Sequence, residues 1–195
     1  MNDVAIIIDC WETSYSKDKI SYSDDYKMFL NIKQFIESTK SINTIILASY
    51  NVIDRPVTIW HRNSIELLGL DKFNSKDLIS HLPTNEHQKT DTELLNWVAD
   101  RYQISMHYIW ELELLLTHTK VDNFYLCGGS TDQCVMNRPL GWESLHKFIQ
   151  RHNLTSKILL HKDCVNDDDG NTFVVEKYPG WRYTIDPCIF EYVKA

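Results

Sequence analysis

Cys134 is the residue of this chain best placed in sequence to do covalent chemistry. It stands in "YLCGGSTDQCVMNRP", residues 125–139, where an apolar run meets two glycines, a short polar turn and then a helix-like segment. A strand that hands over to a helix in this way leaves backbone N–H groups and a partial positive charge at the helix start. That setting lowers a thiol's pKa and makes a nucleophile of it, although free cysteines also serve as small buried apolar residues. Two partners come from elsewhere in the chain. Asp9 closes the apolar run "VAIIID", residues 4–9, and puts an acid at the C-terminal edge of a buried strand. Arg101 closes "LLNWVADR", residues 94–101, and brings a permanent cation that favours a thiolate or an oxyanion. Together they offer a nucleophile, an acid and a cation.

These residues act together only if the fold brings them to one place. "VAIIID" has the unbroken apolar character of a strand buried on both faces. "SDDYKMFLNIKQFIEST" has a Ser/Asp start and sets Met28, Phe29, Ile32, Phe35 and Ile36 at helical spacing, as a crossover helix requires. "NTIILASY", residues 43–50, reads as the second strand, residues 62–92 as a polar excursion with short helices, and residues 94–101 as the third strand. "MHYIWELELLLTHT" follows as a buried helix, "NFYLCG" as the fourth strand, "CVMNRPLGWESLHKFIQRH" as a helix and "KILLHKDC" as the fifth strand. Pro139 predicts a break in that last helix near Asn137 and Arg138. "NTFVVEKYPGWRYTID" reads as one or two strands about the Pro179-Gly180 turn. The alternation predicts one α/β domain over residues 1–195, a three-layer α/β/α sandwich with a mainly parallel, Rossmann-like sheet. The site of such a sheet lies at the C-terminal ends of its strands, where Asp9, Arg101 and Cys134 all fall.

Composition narrows the partners. A formal net charge of −7 with no basic cluster disfavours nucleic acid. No apolar run reaches the roughly 20 residues that span a bilayer, and the opening "MNDVAIIIDCW" lacks the basic segment of a secretory signal. A cytoplasmic protein without a membrane partner is expected. Five cysteines, an odd number without C-x-x-C spacing, argue for reduced thiols and against a structural zinc site. "NDDDG", residues 166–170, lacks the remaining ligands of a calcium loop and reads as a solvated turn. Of the six tryptophans most are expected in the core, with Trp11, two residues past Asp9, on a pocket wall.

The chain resembles the isochorismatase-like cysteine hydrolases over roughly residues 3–165. The likeness rests on "AIIID" for the first strand and its acid, and on "GGSTDQCV" for a Gly-x-x-Thr-Asp-x-Cys-Val nucleophile turn. It implies Asp9 as general base and Cys134 as nucleophile. It also implies a non-proline cis peptide at Gly129-Ser130, and a turn of Gly129, Ser130 and Thr131 that aims N–H groups, Ser130 and Cys134 foremost, at an oxyanion. The family's lysine falls on Arg101, with Ser105 at the following serine position. Arginine keeps the charge but does not shuttle a proton, and its fork can pair with a carboxylate. His107 takes the place of an aromatic residue near the substrate. The Asp-x-His metal motif of the nicotinamidase branch is missing, Asp54 and His61 being too far apart, so neither a catalytic metal nor a cofactor is expected.

Three functions follow as expectations. The first is a small-molecule cysteine hydrolase that cleaves an amide, ester or related bond, working as a homo-oligomer, as the resemblance implies. The second is a catalytically silent relative that binds a metabolite or a protein. The third, a metal-dependent PIN-type nuclease using Asp9, Asp100 and Asp132, is disfavoured by the acidic charge and the cysteine turn.

Overall fold

The computed structural model describes residues 2–9, 23–48, 103–105, 112, 116, 120–129, 131, 134–138, 140–166 and 180–193. All that follows is said of these residues.

The first strand, β1 (Asp3–Ile8), is buried along its whole length, so no face of it carries a polar alternation. Helix α1 (Ser23–Ser38) follows and buries Met28, Phe29, Ile32, Phe35 and Ile36, the stripe its spacing predicts. The chain then forms β2 (Ile42–Ala48) and β3 (Gln103–Ser105). Residues 94–101, the expected third strand, lie outside the described residues, and the strand that pairs with β2 is the short Gln103–Ser105. Leu112 and Leu116, from the segment expected to be a buried helix, are helical, and Leu112 is fully buried.

Strand β4 (Asn123–Cys127) leads into a one-turn helix, α2 (Cys134–Asn137), and then into α3 (Trp142–Arg151), before β5 (Lys157–His161) and a 3-10 turn at Lys162–Cys164. The break between α2 and α3 falls where Pro139 demands it, because proline offers no N–H and crowds the preceding turn. The chain ends in β6 (Trp181–Tyr183) and β7 (Ile189–Tyr192).

The seven strands lie in the order β3-β2-β1-β4-β5-β7-β6. The five from β3 to β5 are parallel, while β7 runs antiparallel to β5 and β6 antiparallel to β7. The fold is thus α/β with a mixed, mostly parallel sheet. The chain winds outward from β1 through β2 and β3, then returns to the other side of β1 with β4. That reversal opens a crevice beyond the C-terminal ends of β1 and β4, the usual ligand position in open α/β sheets. Ile6, Ile7, Ile8, Phe124 and Leu126 are wholly buried around it, and each such side chain stabilises the fold by about 1.5–3 kcal/mol.

Candidate active site at the β1–β4 crevice

Asp9 follows directly on β1, and its backbone N–H donates to the carbonyl of Ala48 at 3.1 Å, extending the pairing with β2. Its φ of 52° is left-handed, a conformation that costs a non-glycine residue roughly 1–2 kcal/mol and that aspartate tolerates better than most. The side chain is 2% exposed. Its Oδ2 accepts a 2.7 Å hydrogen bond from Nε of Arg138. Its Oδ1 is buried and has no hydrogen-bond partner among the described residues. A buried acceptor left in this condition costs about 1–3 kcal/mol.

Opposite Asp9 the turn after β4 is built around two glycines with left-handed backbones, Gly128 (φ 77°) and Gly129 (φ 62°). A Cβ on Gly128 would stand 2.4 Å from the carbonyl oxygen of Ile8, so the end of β1 and the turn touch backbone to backbone. A Cβ on Gly129 would stand 2.9 Å from Cβ of Cys134 and 3.6 Å from Cγ2 of Ile8. Cys134 thus packs on the turn next to the last residue of β1. The segment after β5 pins the turn from behind. Gly128 N–H donates to Cys164 O (2.6 Å), Thr131 N–H to Asn166 O (2.8 Å), and Asn166 N–H back to Gly129 O (2.9 Å).

The structure therefore brings together Asp9, Gly129, Thr131 and Cys134 of the expected residues. Thr131 is buried with its amide committed to Asn166, so it holds the turn and offers no N–H to an oxyanion. Trp11, Arg101, His107 and Ser130 lie outside the described residues, and the Gly129-Ser130 bond with them. Ser105 sits at the end of β3, the outermost strand.

Two features differ from the sequence reading. The helix that begins at Cys134 has a single turn, so few peptide dipoles add up behind the thiol, and charge stabilisation must come from side chains. The cation paired with Asp9 is Arg138, which the sequence reading did not single out. Its N–H closes the turn on Cys134 O at 3.1 Å, and its side chain, a quarter exposed, reaches across to β1. A cation four residues past a nucleophile, just before a proline that must break the helix, was the signal available in the sequence.

Of the nearby thiols, that of Cys164 is poorly placed for nucleophilic chemistry. Cys164 is fully buried, and its hydrogen bond with Cys127 together with burial pushes its pKa far up. No family model, no curated protein and no solved structure matches this chain.

Proposed function

We propose that the protein is a small-molecule cysteine hydrolase of the isochorismatase-like kind, cleaving an amide, ester or related bond. The observation that carries the reading is the Asp9 carboxylate, which is buried, backbone-strained, anchored through Oδ2 and open at Oδ1 beside the cysteine turn. In this reading Oδ1 takes the thiol proton of Cys134, and the sulfur attacks the substrate's carbonyl carbon. The C–S bond forms, the C–N or C–O bond breaks, and Asp9 returns the proton to the leaving group. Water then attacks the thioester, Asp9 takes its proton, and that proton restores the thiol as the acid product leaves. Arg138 orients the carboxylate and contributes positive charge, while Arg101 keeps the position that the family's lysine would hold. The reading takes the fold as a three-layer α/β/α sandwich acting in the cytoplasm as a homo-oligomer.

One observation favours a second reading, a silent relative that binds a metabolite or protein. The 2.7 Å Arg138–Asp9 pair ties up one oxygen of the carboxylate. A panel of amides and esters separates the two readings. Hydrolysis by the wild type, with an acyl group trapped on the peptide containing Cys134 and loss of at least about 100-fold in Cys134→Ala and Asp9→Asn, supports the hydrolase. Equal turnover in wild type and Cys134→Ala would falsify it, and saturable ligand binding without turnover would place the protein with the binders.

A further inference from the structure

Three metal-ligating side chains meet at the end of β5, away from the Asp9 arrangement. The ligand atoms of His161, Asp163 and Cys188 all lie within 4.8 Å of one another. We infer that these residues bind a zinc ion, with water or an exogenous ligand completing a four-coordinate shell.

The donor set is the first argument. A thiolate, an imidazole and a carboxylate match the borderline-soft zinc ion, whereas calcium and magnesium take oxygen ligands almost exclusively. Three protein ligands with an open fourth place is also the pattern of zinc sites that interact with small molecules.

The second argument is how the fold holds the ligands. The antiparallel register of β5 and β7 sets His161 opposite Ile189, which brings Cys188 alongside the start of the 3-10 turn. Lys162 N–H donates to Cys188 O at 2.9 Å, and Cys188 N–H donates to Asp186 Oδ1 at 2.8 Å, so the cysteine backbone is fixed on both sides. The His161 ring packs on Phe35 of α1 with centroids 4.7 Å apart, and Asn31 of the same helix donates to the Asp163 carbonyl at 2.9 Å. His161 Nδ1 accepts a 3.2 Å hydrogen bond from the Asp163 N–H, which tethers the ring to the 3-10 turn.

Around a tetrahedral zinc the ligand atoms stand about 3.2–3.8 Å apart. The exposed Asp163 and half-buried Cys188 close the remaining distance by rotation about their side-chain bonds. Binding drives the Cys188 thiol proton into solvent and ties the antiparallel extension to the parallel sheet.

The test uses the full chain, stripped with a chelator and titrated with cobalt(II), then zinc. One equivalent of cobalt is expected to give a thiolate-to-metal charge-transfer band that zinc abolishes by displacement. Cys188→Ser should lose the band, and His161→Gln and Asp163→Asn should bind zinc at least about tenfold more weakly. Cys134→Ala should keep the band, since the site is independent of the proposed nucleophile. Circular dichroism in chelator establishes that each variant is folded. Should Cys188→Ser not fold, the wild type answers alone: zinc must protect Cys188 from iodoacetamide in a peptide map. A band that survives in folded Cys188→Ser, alkylation of Cys188 unchanged by saturating zinc, or no metal bound at micromolar concentration would overturn the site.

Discussion

Asp9 and Arg138 make a close charged contact, 2.7 Å from Nε to Oδ2, that joins two segments far apart in the chain. One partner is almost entirely out of water and the other only partly, so the pair is closer to a buried than to a surface ion pair. Removing Arg138 strands a buried carboxylate. Arg138→Ala is expected to destabilise the protein by about 2–3 kcal/mol in urea unfolding at neutral pH, with Asp9→Asn in the same chain recovering a good part of it. A loss below about 0.5 kcal/mol would mean that the pair is a loose surface contact. Tyr125, inside β4, supplies a pH signature. Its phenol is pushed up to about 12, first by burial and then by the nearby Asp3 carboxylate. In the unfolded chain the phenol ionises near 10, so the unfolded state sheds the proton first. The stability that the neutral phenol contributes is whole below pH 10 and is lost as pH rises from about 10 to 12. Tyr125→Phe should flatten this alkaline limb of the stability–pH curve, and an unchanged slope would show that the limb belongs to other groups.

At the scale of elements, the site depends on how closely the turn after β4 approaches the end of β1. Gly128 is the contact point, with a left-handed φ and no room for a Cβ against the Ile8 carbonyl. Gly128→Ala should cost about 2–4 kcal/mol, from backbone strain and from parting β1 and β4 at the crevice. Gly129→Ala crowds the Cys134 side chain at 2.9 Å but meets Ile8 only at an ordinary 3.6 Å, and should cost less in stability while moving the thiol. Thermal melts of both variants, with the alkylation rate of Cys134, check this. If Gly128→Ala melts with the wild type, the close approach is not what holds the turn. The one-turn α2 has a similar consequence. With only four residues, α2 has few peptide dipoles to act on the thiol, and Arg138, just past its end, pairs with Asp9.

The whole molecule is a sheet of unequal strength. Its centre, β1 flanked by β2 and β4, is buried throughout, whereas β6 forms the outer edge and exposes Arg182 and Tyr183. Local opening should therefore start from the β6–β7 extension. Native-state hydrogen exchange is expected to show the amides of β1 and β4 exchanging slowest, by global unfolding only, and those of β6 first. Equal protection across the sheet would point to a single cooperative unit. No helix among the described residues is long and apolar enough to cross a membrane. The open groove over β4, β5 and β7, lined by Tyr125, Lys157, Leu159, Tyr183 and Glu191 among others, contains neither Asp9 nor Cys134.

Local patterning was sufficient for most elements. Continuous apolar runs announced β1, β2, β4 and β5, helical spacing announced α1, and Pro139 announced the break after Asn137, because each depends on near neighbours in the chain. Asp9 and Cys134 were legible for the same reason, as residues that must follow strands at one edge. What the sequence did not reveal depends on register and on long side chains crossing between elements. Arg138 reaches Asp9 over a separation of 129 residues, and no local rule specifies that pairing. Cys188 meets His161 only because β7 turns antiparallel to β5, a choice made by packing at the sheet's end. Side-chain periodicity specifies which face of a strand is buried, but it says nothing of which strand lies beside it, and that neighbour decides which distant residues share a site.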